Sequence, residues 1–270
     1  MSRELDRDAS KEEIKKAANA LLGHSLGDIG SELSDVDSTK IKGKPGEILE
    51  EFFGMENDNY GKPDFHDANI ELKCKPLRIS YEDYFYPKEP LSIGMIDYEE
   101  VANTESWRDI EKLRKKLLNL MIVWFVHDTD NLDNSEFIWW QIGVDLEEFD
   151  EAIQEEYEEI RRQIQEGEHL SQEVAENDIL QTCPKHNYKF EEKEKGSYVV
   201  NSGHPTLEKP ERRSWRIPSR FLVRMLAESA DVELVKKGRS QKVRIDDLQE
   251  ASAEKSEGSP EVEEYLPDEN

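Results

Sequence analysis

Seven consecutive apolar residues, Leu120 to Val126, constrain the fold of this chain more than any other feature. The run is short and rich in β-branched and aromatic side chains, which reads as a buried strand. Asp128 to Ser135 is a turn by composition. Phe137 to Ile142 returns as a strand, so the two are expected to pair antiparallel. Helical signals surround them. Ser10-x-x-Glu13 is a capping box opening a helix striped by Ile14, Ala17, Ala18, Leu21 and Leu22, and Gly23 ends it. Pro45 to Phe53 reads as a short helix stopped by Gly54, with Glu50 inside it. Phe149, Ile153, Tyr157, Ile160 and Ile164 mark one face of a long helix whose Glu run is a solvated face. Further strands are expected at Ile70–Lys73 and Leu91–Ile96, and helices at Thr104–Leu117 and Ser219–Ala227. Gly30–Thr39 reads as a polar turn, and Cys183–Pro210 as loop. From Asp246 onward the chain is Asp, Glu, Ser, Gly and Pro, which predicts a disordered acidic tail over 246–270.

The 270 residues suffice for one large domain or two small lobes, and the charged fraction, 36%, is above the usual level. No apolar run reaches the length of about 18 residues that spans a bilayer. The first residues lack the apolar core of a signal peptide, and Cys74 and Cys183 make no disulfide framework. These features predict a cytoplasmic protein with reduced thiols and no membrane partner. The six histidines are scattered, so a zinc site is not expected. No phosphate-cradling glycine motif appears.

The net charge of −26 argues at first sight against nucleic acid, because phosphate contacts need basic groups. It fits an acidic DNA mimic, or adaptation to a very salty cytoplasm. In roughly 1 M salt the Debye length is about 3 Å, so only close contacts count. The charge distribution favours the second reading. Basic islands stand at Arg108–Lys116, Lys209–Arg224 and Lys236–Arg244, and are candidate phosphate contacts.

The chemistry concentrates between Pro63 and Lys73. Glu71 and Lys73 lie two apart on a strand and project from one face, with Leu72 turned toward a core. A bend at Pro63-Asp64 would set the Asp64 carboxylate beside Glu71. Two carboxylates hold a hard divalent cation, and an ammonium offsets transition-state charge. This is the equipment of metal-assisted phosphodiester hydrolysis. A solvated salt-bridge face is the alternative reading of the same residues.

Several segments together resemble the MutH and Sau-type family of DNA endonucleases, which act at GATC. They are Gly23–Ile29, Lys42–Gly54, Lys62–Phe65 with Ile70–Lys73, Ile96–Asn103, the long helix leading to Gln165-Glu166-Gly167, Cys183–Lys185, and Ser214–Leu226. The resemblance spans roughly residues 10 to 230. It implies an α/β (α+β) PD-(D/E)xK core: a mixed sheet flanked by helices, with two lobes around a DNA cleft. The expected endonuclease domain is 1–245, with a catalytic lobe at 1–145 and a DNA-reading lobe at 146–245. The resemblance also implies Mg²⁺, with Mn²⁺ as a substitute, bound by Asp64, Glu71 and the Leu72 carbonyl. Lys73 would help the attacking water. Glu50 would orient Lys73 or assist a second ion. Lys115 or Lys116 would take the place of a functional lysine before the buried strand. Lys185 would read bases, and Arg212, Arg213, Arg216 and Arg220 would contact DNA. Two departures touch DNA reading: Pro218 and Ser219 stand where the family has a lysine, and Arg216 where MutH has a tyrosine.

The expected function is therefore a Mg²⁺-dependent endonuclease on double-stranded DNA, cutting at GATC or a related site and leaving a 5′-phosphate. Such an enzyme would act as a homodimer with a cognate methyltransferase as its functional partner. A mismatch-repair nickase, a non-catalytic DNA-binding module and a DNA mimic are the alternatives.

Overall fold

The computed structural model describes residues 5, 7–33, 44–55, 63–80, 83–143, 146–168, 170, 179–184, 212–237 and 240–266. The chain divides into two compact units. One comprises Met1–Lys88, Asn119–Gly143 and Val223–Asn270, and the other Glu89–Leu118 and Val144–Leu222. The expected split near residue 145 is thus not the observed one. The chain leaves the first unit after Lys88 and returns to it twice.

The strands are β1 (Glu71–Ser80), β2 (Tyr84–Pro87), β3 (Leu91–Met95), β4 (Leu120–Val126), β5 (Glu136–Ile142), β6 (Gln181–Pro184), β7 (Arg213–Ile217), β8 (Leu234–Lys237) and β9 (Ser240–Arg244). The first unit holds a six-stranded mixed sheet in the order β5-β4-β1-β2-β9-β8. Its hydrophobic centre is β4, buried from Leu120 to Phe125. β5 returns antiparallel against it, as expected, and β1 runs parallel to it, pairing Glu71 with Leu120 and Lys73 with Ile122. Trp124 donates from Nε1 to Gln141 Oε1 at 3.1 Å, so the buried indole N–H has its acceptor. A mixed sheet flanked by helices is the architecture expected for this chain.

Helices α1 (Lys11–Ala20), α2 (Leu26–Glu32) and α3 (Lys44–Phe52) pack one apolar cluster onto this sheet, joining Ile14, Leu21, Ile29 and Phe52 to Leu72, Met121 and Val123. The Ser10/Glu13 capping box is present. A second box, Ser25 with Asp28, opens α2 over the first residues expected to be turn. Its shorter acid does the work that a glutamate usually does.

In the second unit β3, β7 and β6 form a three-stranded antiparallel sheet. The helix expected over Thr104–Leu117 is instead α4 (Tyr98–Asn103), a 3-10 turn at Trp107–Asp109, and α5 (Glu111–Leu118). Local capping decides this. Asp97 accepts the N–H groups of Glu99 and Glu100, and Ser106 accepts that of Arg108. The buried Trp107 ring points its Nε1–H at Asp150. The long helix is α6 (Leu146–Glu166), and all five stripe residues are buried. One member of its Glu run departs from the expected solvated face. Glu156 is fully buried, and its carboxylate accepts the backbone N–H groups of Ile179 and Leu180.

α7 (Ser219–Ala230) leads back to the first unit. The acidic tail is a correction. Residues Ile245–Ser256 form α8, and Val262, Tyr265 and Leu266 join the apolar cluster around α1 and α3. The anchors are too sparse to produce a periodic signal in so polar a stretch. Lys255, on α8, lies 3.7 Å and 3.8 Å from the Trp139 and Trp140 ring centroids and donates to the Trp140 carbonyl at 2.6 Å. Burial pushes its ammonium down to about 7. The unfolded chain therefore binds more protons above that pH. Stability is expected to rise as pH climbs from about 7 toward the ordinary lysine value of 10.5. Thermal melts across that range should show the rise in the wild type and a flatter profile in Lys255→Met. Among the described residues no helix is long and apolar enough to cross a membrane.

Candidate active site

Four of the expected residues, Glu50, Asp64, Glu71 and Lys73, fall in the first unit. Strand geometry explains how they gather. Glu71 at the start of β1 donates its N–H to the Asn119 carbonyl at 3.0 Å, so its peptide groups face β4. Those of Leu72 then face the opposite edge, as alternation along a strand requires. β2 pairs with β1 only from Leu77 onward, which leaves that edge open at Leu72. Asp64 fills it: its Oδ2 accepts the Leu72 N–H at 2.6 Å. A tight turn brings Asp64 there. Phe65 and Ile70 exchange backbone hydrogen bonds of 2.9 and 3.1 Å, and Asn69 closes the turn with a φ of 52°. Asparagine tolerates that left-handed conformation better than most residues. The expected bend therefore lies after Asp64, at residues 66–69.

The Leu72 carbonyl projects from the same open edge and accepts Lys73 Nζ at 2.8 Å. Glu71 Oε1 lies 2.9 Å from that nitrogen and Asp64 Oδ2 3.9 Å from it. The three oxygens expected to hold a cation thus converge on one positive charge. Solvent reaches the cluster: the side chains of Lys73, Asp64 and Glu71 are 33%, 32% and 15% exposed. Glu50, on α3, is half-buried. Burial raises its carboxyl above the usual range, the Asp64 charge raises it further, and Lys73 opposes both. Cys74 turns toward the apolar cluster, where burial raises its thiol and keeps it from acting as a nucleophile.

The donor set suits a hard cation. Among the described residues no three His, Cys, Asp or Glu side chains are arranged to hold a metal. Two carboxylates and one peptide carbonyl are the sparse oxygen set that Mg²⁺ accepts, since it keeps several waters.

Residues 53–156 match the family described as the DNA mismatch repair enzyme MutH, a span containing Asp64, Glu71 and Lys73. Over that span the chain is similar to MutH, and a second similarity is to a Sau-type endonuclease. It is 26% identical over 179 residues to the type II restriction enzyme Sau3AI of Staphylococcus aureus, covering 65% of this chain and 36% of that enzyme. The match therefore spans about a third of the length of that relative.

The described residues expected to contact DNA fall in the second unit. Lys115 and Lys116 close α5, and Lys115 pairs with Glu111 at 2.5 Å. Arg212 and Arg220 are exposed. Arg216 is half-buried and donates from Nε and an Nη to Gln181 Oε1 at 3.1 and 2.9 Å. Arg213 is a correction: it is 3% exposed, and its guanidinium donates to Thr182 Oγ1 at 3.0 Å. Its strand position turns it inward, where it braces β6 and is closed to a phosphate. Lys185 lies outside the described residues. Sequence reasoning missed Glu156, which looks like any other acid of its helix. Its only sign is that it sits one position before the apolar Tyr157.

Proposed function

We propose that this chain is a Mg²⁺-dependent endonuclease on double-stranded DNA, of type II restriction character, cutting at GATC or a related site. The convergence of Asp64 Oδ2, Glu71 Oε1 and the Leu72 carbonyl on one cationic point carries this reading. Mg²⁺, or Mn²⁺ in its place, would be held by the Asp64 and Glu71 carboxylates and the Leu72 carbonyl, and would supply Lewis-acid polarisation of the phosphate and a more acidic water. The residues of the chain then have separate tasks. Asp64 fixes the open edge of β1 through the Leu72 N–H while keeping its second oxygen for the ion. Glu71 contributes the deeper carboxylate. Lys73 presents an ammonium to the attacking water and to the charge that grows on the phosphate. Glu50, whose carboxyl burial raises above the usual range, lies close to Asp64 and Lys73 and helps position that ammonium. Lys115 or Lys116, with Lys185, Arg212, Arg216 and Arg220, would contact the duplex. Arg213 is left out because it is buried.

The expected product is a 5′-phosphate left by in-line attack of water. A homodimer on DNA and a cognate methyltransferase in the same cytoplasm would complete a restriction system. The test is digestion of a mapped plasmid with Mg²⁺ in molar KCl, followed by sequencing of the ends. Defined double-strand cuts at one short sequence support the reading, and an intact plasmid at every salt concentration overturns it. The MutH match supports a second reading, a repair nickase. Single-strand nicks on hemimethylated plasmid would identify it.

A further inference from the structure

We infer that Arg78, Lys88 and His127 form a phosphate-binding site on the sheet of the first unit, separate from the catalytic cluster. This goes beyond the endonuclease reading, and its phosphate arm does not depend on it. Two carbonyls of β1 build the site. Pro76 O accepts the Lys88 N–H at 2.9 Å on one edge, and Leu77 O accepts the His127 N–H at 2.8 Å on the other. Lys88 and His127 therefore flank β1 from opposite sides, just ahead of Arg78. Their side chains meet across the strand: Lys88 Nζ is 3.2 Å from His127 Nε2. Arg78 projects from the sheet face opposite to Glu71 and Lys73 by strand alternation, about 16 Å beyond Lys73 along β1.

The cluster has more donors than acceptors. Lysine carries only donors, so Nε2 must accept from Lys88, which leaves the proton of the neutral ring on Nδ1. Nδ1 is buried and has no partner among the described residues. Arg78 and Lys88 are exposed, and among the described residues neither makes an ion pair. Burial first, then the charges of Lys88 and Arg78, holds the His127 imidazole below its usual value. Asp128 acts in the opposite sense, but its Oδ1 already accepts the N–H groups of Asp130 and Asn131. An oxyanion supplies what is missing: acceptor atoms for a guanidinium and an ammonium, and negative charge where positive charge accumulates. In a chain of net charge −26 such a local excess of cations is selective for a ligand that binds at short range. The ligand class is a phosphate oxyanion, either of a nucleic-acid backbone or of a free phosphate.

The experiment follows the His127 ring by two-dimensional ¹H–¹⁵N NMR on the full chain at fixed ionic strength, without divalent metal. The probes are inorganic phosphate and a short DNA duplex. Saturable movement of the His127 signals is expected, accompanied by an upward shift of its titration midpoint. Loss of that response is expected in Arg78→Gln/Lys88→Gln, a pair that keeps the strand and removes the charges. Movement with the duplex assigns the site to nucleic acid, and movement with phosphate alone assigns it to free phosphate. No movement with either probe overturns the inference. So does a response that tracks protein concentration alone, which would mark contact with the acidic surface of a second copy. Plasmid cutting is scored separately, so a failed phosphate site and a failed endonuclease reading are told apart.

Discussion

Replacing Asp64 with asparagine is expected to abolish DNA cleavage while leaving the fold intact. The amide keeps an oxygen that accepts the Leu72 N–H, and loses the charge that would hold a divalent ion. Asp64→Ala removes both. It should be inactive and also less stable, by about 1–3 kcal/mol, because a partly buried strand N–H loses its partner. Plasmid cleavage and chemical denaturation on the two variants separate the roles. Lys73→Ala removes one electrostatic contact to the growing charge, and is expected to slow cleavage by about 10²–10³-fold. If Asp64→Asn cuts plasmid at the wild-type rate, the site lies elsewhere.

The largest expected stability effect belongs to Glu156. Its buried carboxylate holds the N–H groups of Ile179 and Leu180, at the entry to the four-residue edge strand β6. Such a strand has little pairing of its own. Glu156 anchors its start while Arg213 and Arg216 hold Thr182 and Gln181. Glu156→Ala leaves two buried donors without an acceptor and should cost about 2–5 kcal/mol. Glu156→Gln keeps one acceptor oxygen and should cost less. Urea denaturation measures both. Equal and small losses would show that this carboxylate does not anchor β6.

The features legible in the sequence are those set by local pattern. β4 announces itself by seven consecutive apolar residues, β5 by a six-residue segment apolar but for Gln141, and α6 by a stripe that needs only its own spacing. The Glu71/Lys73 pair was legible because alternation puts residues two apart on one face. Asp64 was legible as a partner, but the turn that delivers it was not, since it depends on a left-handed Asn69. What stayed hidden was set by distant residues. α8 docks through a few anchors in a polar stretch. Glu156 and Arg213 carry surface chemistry and are buried because particular backbone and hydroxyl groups meet them. Arg78 lies on β1, Lys88 directly follows β2 and His127 directly follows β4, and only the pairing register brings them together.

Binding of Mn²⁺ to the full chain, followed by electron paramagnetic resonance of free Mn²⁺ in molar KCl, tests the central claim most directly. A saturable site in the wild type that is lost or greatly weakened in Glu71→Gln is the predicted result. Equal binding by the two proteins would contradict it, because the ion would then sit on some other part of this acidic surface.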